Sequence, residues 1–367
     1  MQHFDFVIVG AGSAGCVLAH RLSENGKYTV LLLEAGGTDK RFWIQVPIGY
    51  GKTYYQKAVN WMYMAEADEG TNNRQSYWPR GKVLGGSSSI NAMVYIRGHQ
   101  ADFDGWEAAG NPGWAYKDVL PYFKKSECNQ LGEDGFRGGQ GPMYVADVSQ
   151  DLHPLCRNFI QAGRQLGLNE NTNFNGEEQE GIGLYQTTTR QGIRQSSSKA
   201  FLHPALKRNN LHLITQAHAN KILCIGKKAV GVQYQNKGVT HDVFANKEVI
   251  LCGGAINSPQ LLQLSGIGPA PLLKEQEIEL IQDSPAVGQH LQDHLGMDYL
   301  YSCKEPTLND ELHSWQGKLK AGIKYVLTRR GPLSLSINQG GGFIKTSPEL
   351  KQPDIQLYFS PVSYTKA

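Results

Sequence analysis

The first pattern along the chain is a compact one. Val7, Ile8 and Val9 form a short apolar run of strand type, and Gly10-Ala11-Gly12-Ser13-Ala14-Gly15 follows at once. Cys16, Val17, Leu18, Ala19 and Leu22 then recur at helical spacing. Residues 28–33 make a second apolar run, closed by Glu34. Strand, glycine turn, helix, strand and acid, in that order, predict a βαβ unit of the dinucleotide-binding kind.

Each residue type in that unit has a physical task. Gly10 permits a tight exit from the strand, and Gly12 lacks the Cβ that would keep backbone away from a pyrophosphate. Gly15 lets the helix pack close to the strands. The helix N-terminus presents N–H groups and partial positive charge to an anion. Glu34 stands where a carboxylate accepts from ribose hydroxyls, which argues against the 2′-phosphate of NADP. The unit alone does not separate FAD from NAD.

Beyond Glu34 the periodicity breaks. Residues 38–73 hold Phe42, Trp43, Tyr50, Tyr54, Tyr55, Trp61 and Tyr63 without a regular spacing, and the reading is an aromatic lid or wall. Residues 77–98 read YWPRGKVLGGSSSINAMVYIRG. Its glycines let backbone donors come close to an anion or a flat ring, and Ser87, Ser88 and Asn91 add polar side chains. Helices are expected over 111–126, 155–168, 196–206 and 258–264, and the segment 130–142 reads as a surface loop. Strands are expected at 211–215, 221–224, 230–234, 239–244 and 248–252. The last of these runs into Gly253-Gly254, a second glycine exit. Two such exits meeting one long cofactor favour FAD over a single NAD site.

Composition narrows the classes. The chain has 367 residues, enough for two domains, with 42 glycines and 17 tyrosines, as in a turn-rich α/β enzyme. The net charge is +3 and basic residues come in pairs rather than runs, so nothing points to nucleic acid. Cys16, Cys128, Cys156, Cys224, Cys252 and Cys303 are far apart and form no CxxC, which argues against a zinc or dithiol site and for free thiols in a cytoplasmic protein. Peripheral membrane contact stays open. His290 and His294 flank Asp293, but Leu291 stands where a zincin needs Glu, so no metal is expected. Asp102 and Asp104 read as a solvated turn. Neither GxSxG nor GxxxxGK[ST] occurs.

At this point the residues resemble a known family, the glucose–methanol–choline (GMC) oxidoreductases, in the branch of choline dehydrogenase-like and alcohol dehydrogenase proteins. GAGSAG with Glu34 matches its FAD fold. GKVLGGSSSINAMVYIRG at 81–98 and GAINSPQLLQLSGIG at 254–268 match its two signatures. VGQHLQDH at 287–294 resembles a further block, with His290 where Asn is usual.

The resemblance implies an α/β fold: an FAD-binding Rossmann-like domain of GMC type with an interleaved α+β substrate domain, incomplete at the C-terminus. The flavin domain would take 1–40, 74–110 and 195–295, with 41–73 as the aromatic lid and the substrate domain in 111–194 and 296–367. It implies bound FAD and oxidation of a primary alcohol by hydride transfer, with choline as the alternative substrate and a non-catalytic flavin-binding fragment as a further alternative. The electron acceptor would be oxygen, a quinone or a cytochrome. By position, Gly10, Gly12, Ser13, Gly15, Glu34 and Ala35 would hold the ADP half. Trp78, Arg80, Gly81, Leu84, Gly85, Gly86, Ser87, Asn91, Ala92, Met93 and Val94 would line the pyrophosphate and isoalloxazine, and Ala219 the adenine. Relatives that attach FAD covalently use a His near the Gly-Gly pair; Ser88-Ser89-Ile90 holds none, which implies a non-covalent flavin. The family's catalytic His lies further toward the C-terminus than any matching block here, so no catalytic residue is assigned. The acid that choline-type relatives carry after LQDH is Gly296, which favours a neutral alcohol.

Overall fold

The computed structural model describes residues 2–363, so the end of the expected substrate segment, including Lys366 and Ala367, lies outside the described residues. The chain divides into two compact units: residues 1–41, 51–91 and 196–297, and residues 42–50, 92–195 and 298–367. These bounds differ from the expected ones. Residues 51–73 belong with the first unit, while 92–110 and 42–50 belong with the second.

The first unit is built on β1 (Gln2–Val9), α1 (Ser13–Ser23), β2 (Val30–Glu34), β3 (Leu211–Thr215), β4 (Ala217–Ile225), β5 (Lys228–Asn236), β6 (Val239–Leu251) and α2 (Gly254–Leu264). The six strands form one sheet in the order β3-β2-β1-β6-β5-β4. From β3 to β6 neighbours run parallel, and β5 and β4 extend the sheet as antiparallel strands. Every residue of β2 is buried, as expected for a parallel strand covered on both faces. Val7, Val9, Leu31, Leu33, Val232, Val243 and Leu261 join in one core. Strand order reverses at β1, which has β2 on one side and β6 on the other. In such sheets the ligand crevice lies at the carboxyl ends of the strands on either side of that reversal.

One expectation is corrected here. The two strands read at 239–244 and 248–252 are one strand, β6. Its early residues pair antiparallel with β5, from Val239 to Phe244, and its later ones parallel with β1, ending at Leu251 opposite Val9. The polar stretch Asn246-Lys247 interrupts the apolar pattern, but ladder hydrogen bonds are made by backbone and continue through it, with a register shift between Phe4 and Phe6.

The second unit has a small antiparallel sheet with Gly340–Ile344 between Gly181–Leu184 and Ile355–Phe359. The helix Leu155–Gln165 packs on it, with the Phe159 and Phe359 rings stacked at 4.7 Å. Helices Gln100–Ala108 and Tyr116–Ser126 lie together, joined through Phe103 and Phe123. Asp102 and Asp104 are on the first of them rather than on a turn. Asp102 closes a capping box with His99, and Asp104 accepts from the Tyr116 N–H at 3.0 Å. Arg97 and Glu127 form a buried ion pair. Glu127 also accepts from Asn129 at 2.7 Å and from the Gly138 N–H at 3.1 Å, while Arg97 donates to the Phe136 carbonyl at 2.8 Å. This network fastens the glycine-rich loop 130–142 at its middle.

Candidate functional site

Three glycine turns converge at the carboxyl ends of β1 and β6 in the first unit. Gly10 leaves β1 at φ +100°, and a Cβ on it would come 2.5 Å from the Cys252 carbonyl oxygen. Gly15 packs so closely that its Cβ would lie 1.9 Å from the Gly10 oxygen. Gly86, at φ +53°, faces Gly12, whose Cα would stand 2.8 Å from an added Cβ. The 81–91 loop is stitched to the first turn by backbone: Gly85 N–H donates to the Ala11 carbonyl at 2.7 Å and Leu84 N–H to Gly37 at 3.0 Å. Within the loop, the Ser87 Oγ accepts from the Gly81 N–H at 3.1 Å.

Two helices begin at this point without a side-chain cap. The N-cap of α1 is Gly12 and that of α2 is Gly253, and neither has a side-chain oxygen to accept the first N–H groups. Ser13 and Ala14 at one start, and Gly254 and Ala255 at the other, are exposed. Space stays open at Gly254, where an added Cβ meets nothing within 4 Å, and at Gly12, where it meets only the Cys252 oxygen at 3.8 Å. Two helix N-termini on adjacent parallel strands make a site for a diphosphate, because both direct N–H donors and positive dipole ends at it.

Glu34 is the carboxylate of this site. It ends β2, is 6 % exposed, and accepts from the Ala11 and Gly36 N–H groups, both at 2.8 Å. Burial pushes its pKa up from 4.5 to about 7, against the pull of those N–H donors and of Lys82. Each carboxylate oxygen carries two acceptor directions, so one on each side remains for a ribose hydroxyl. The Glu34 bonds also shape the glycine turn itself, a role that spacing did not reveal.

The wall beside it comes from the aromatic segment. Asn60 is buried. Its Oδ1 accepts from the Met62 and Arg80 N–H groups at 2.9 and 3.0 Å, and its Nδ2 donates to the Tyr54 carbonyl at 2.7 Å. Trp61 stacks on Tyr63 at 5.8 Å with an interplanar angle of 8°. The Lys82 ammonium lies 4.3 Å from the Trp61 ring centre, and Asn257 on α2 donates to the Tyr63 hydroxyl at 2.6 Å. Lys82 and Asn257 were not singled out in the sequence; Lys82's place directly after Arg80-Gly81 was the available signal.

The remaining expected residues fall in several places. Ala35 follows Glu34 directly. Arg80 stacks on Trp78 at 5.4 Å and lies 3.7 Å from Asp293. Leu84 and Gly85 are buried under the loop, Ser87 and Asn91 are exposed on it. Ala219 is on β4 and packs partly buried against the core. Ala92, Met93 and Val94 belong to the second unit. There Met93, 1 % exposed, packs with Tyr50 and Ile337, its carbonyl accepting from the Thr188 N–H at 2.8 Å. Val94 bridges Thr187. The Met93 side chain is therefore core of its own unit, though its φ of +62° is unusual for a non-glycine.

His290 and His294 lie on an irregular segment outside any helix, so their spacing does not put them on one helix face. His290 has φ +59°, the left-handed region in which Asn and His are both tolerated. Among the described residues no group of three His, Cys, Asp or Glu side chains gathers to hold a metal, and no helix is long and apolar enough to cross a membrane.

Comparison with known proteins gives this geometry its context. A sequence model of GMC oxidoreductases matches residues 4–296. The chain is 46 % identical over 364 residues to an oxygen-dependent choline dehydrogenase of Vibrio vulnificus, covering 99 % of this chain and 65 % of that protein. It is 45 % identical over 362 residues to an alcohol dehydrogenase [acceptor] of Pseudomonas putida, with 98 % and 65 % covered. The chain thus spans about 65 % of the length of these curated relatives. Among solved structures, a formate oxidase of Aspergillus oryzae superposes with a TM-score of 0.90 at 29 % identity, over 99 % of this chain and 69 % of that one. Pyridoxine 4-oxidase from Mesorbium loti gives 0.87 at 32 % identity, over 97 % and 66 %.

Proposed function

We propose, from the premise that this chain belongs to the GMC oxidoreductase family, that it holds FAD non-covalently and serves the oxidation of a primary alcohol to the aldehyde. The observation that carries this reading is the pair of uncapped helix N-termini at Gly12 and Gly253 on adjacent strand ends, with glycine backbone open beside them. Bound FAD would supply the acceptor for a hydride from the alcohol carbon.

The chain's own residues then bind and orient. The first N–H groups of α1 and α2 meet the diphosphate, and the absence of a Cβ at Gly12 lets it approach. Glu34 accepts from the ribose hydroxyls of the adenosine, and does so best when ionised, above about pH 7. Ser88 and Ser89 are spent on the loop: their hydroxyls donate to the Gly85 and Leu84 carbonyls, both at 2.6 Å. No group at this position offers a ring nitrogen to the flavin, which supports a cofactor held without a covalent bond.

A neutral alcohol is favoured because the Trp61 ring is already covered by the Lys82 ammonium, 4.3 Å from its centre, and is not free to receive a quaternary ammonium. Choline is the second reading, favoured by the relatives named as choline dehydrogenases. The electron acceptor would be oxygen, a quinone or a cytochrome. The test is anaerobic addition of a primary alcohol or choline to the FAD-loaded protein, watching the oxidised flavin band. Bleaching by the primary alcohol and not by choline is expected. Bleaching by choline alone establishes the second reading, and bleaching by neither overturns alcohol oxidation by this chain.

A further inference from the structure

The helix expected over 196–206 is not an ordinary one. Pro204 has no N–H to give to the Ala200 carbonyl four residues back. The backbone opens there into one wide π-helical turn, Ser198–Leu202, in which the His203 N–H donates to the Ser198 carbonyl, five residues back. Such turns are rare and cluster at functional sites. This one lies in the first unit. Ala200, Phe201 and Leu202 are buried, and the Phe201 ring meets His20 of α1 edge-on at 6.0 Å.

One side of the wide turn meets the 81–91 loop. The Ser197 N–H donates to the Ser88 Oγ at 3.0 Å, and that hydroxyl donates to the Gly85 carbonyl at 2.6 Å. The Gly85 N–H reaches the Ala11 carbonyl at 2.7 Å. A Cβ on Gly85 would stand 3.1 Å from the Ser198 Cβ, so turn and loop are in contact. The place of Gly85 and Gly86 beside Gly12 therefore depends on where the turn sits. Another side of the turn meets Asp39, whose side chain is fully buried and so out of reach of a ligand. Its carboxylate lies 3.1 Å from the His203 Nε2. Lys199, four residues before His203, is half-buried; burial pushes its pKa down and the Asp39 charge pulls it partly back. A buried carboxylate is costly unless it is paired, so Asp39 holds these partners firmly.

We propose that Asp39 is a positioning residue for the cofactor: through His203 it fixes the wide turn, and through Ser197 and Ser88 the turn holds Gly85 and Gly86 where the FAD diphosphate meets them. The inference rests on the reading that this cradle holds FAD. Asp39 follows Glu34 by five residues, so one excursion after β2 supplies both the ribose carboxylate and the anchor of the facing loop.

The test is a double-mutant cycle on the whole chain, read as FAD affinity by fluorescence quenching, with urea denaturation of each apoprotein beside it. His203→Leu removes the donor to Asp39 at a side chain one-third exposed. It weakens FAD about tenfold, and Ser88→Ala does about the same. Because both act through one chain of contacts, the double variant is at most about threefold weaker than either single one. His203→Gln keeps a donor for Asp39 and stays within about threefold of wild type. A loss of about a hundredfold in the double variant means that the two residues act independently, and overturns the proposal. A His203→Leu protein with a lower urea midpoint but wild-type FAD affinity has lost only a structural contact, and overturns it too. If His203→Leu does not fold, Asp39→Asn takes its place in the cycle under the same criteria. A wild-type chain that binds no FAD removes the cofactor reading and this proposal with it. A wild-type chain that binds FAD, with independent effects in the cycle, removes this proposal alone.

Discussion

Gly12 and Gly15 sit three residues apart in one turn, and the structure assigns them opposite jobs, which makes them a sharp pair of substitutions. At Gly12 the backbone has φ −74° and an added Cβ meets only the Cys252 oxygen at 3.8 Å, an ordinary contact. Gly12→Ala therefore fits the protein itself. Two small terms act on stability. A methyl restricts the unfolded chain, a gain of about 0.4–1 kcal/mol, and Ala is a poorer N-cap than Gly by a similar amount. They offset, leaving apoprotein stability within about 0.5 kcal/mol of wild type. The same methyl stands in the approach of the diphosphate. Overpacking there costs about 1–3 kcal/mol, or roughly 5- to 150-fold in FAD affinity. At Gly15 the Cβ would be 1.9 Å from the Gly10 oxygen, so α1 must move away from the turn by about 1 Å. Gly15→Ala destabilises the apoprotein by about 1–2 kcal/mol after the helix-propensity gain of Ala, and weakens FAD as well. The assay is urea denaturation of the two apoproteins beside titration of FAD by quenching of its fluorescence. If Gly12→Ala keeps wild-type FAD affinity within about twofold, the backbone at Gly12 does not face the ligand and the cradle is wrongly placed.

Two further predictions follow from buried charge. Burial raises the Glu34 pKa from 4.5 in the unfolded chain to about 7 in the fold, so the native state holds the proton longer and stability falls as pH rises from 4.5 to 7, then levels. The span is about 3 kcal/mol; Glu34→Gln removes it, so urea midpoints of variant and wild-type apoprotein measured at pH 5 and pH 8 must diverge in favour of the variant at the higher pH, and parallel curves contradict the burial. In the second unit, Arg97→Ala leaves Glu127 charged and buried and costs about 3–5 kcal/mol of unfolding free energy by urea denaturation; a loss under about 1 kcal/mol means the pair is solvated.

The parts of the fold that were legible in sequence are those where local chemistry and tertiary role coincide. Gly10, Gly12 and Gly15 between two apolar runs announce the turn, because no other residue type meets that backbone and that approach. The second glycine exit, Cys252-Gly253-Gly254, was readable for the same reason, and the exits do lie against each other. What was hidden depends on partners distant in sequence. Gly340-Gly341-Gly342 looks like a linker, yet it is a central strand: a Cβ on Gly341 would lie 2.0 Å from the Leu357 oxygen and one on Gly342 2.5 Å from the Gly181 oxygen. The helix Trp315–Thr328 escaped because apolar residues occupy two of its sides. Met93, expected at the cofactor, lies in a stretch of small and apolar residues that reads the same whether it faces a ring or fills a core. Glu34 was found as a ribose carboxylate, but its hold on the Ala11 and Gly36 N–H groups depends on how the chain returns past Gly36, which no spacing rule encodes.

The central claim is that the glycine turns at 10–15, 81–86 and 252–254 form one FAD site. Its most direct measurement is to load the purified chain with FAD, remove free flavin by gel filtration, and record the visible absorbance of the protein peak before and after denaturation. The account predicts that flavin co-elutes with the chain in stoichiometric amount and is released unchanged on denaturation. A folded protein that elutes colourless contradicts it.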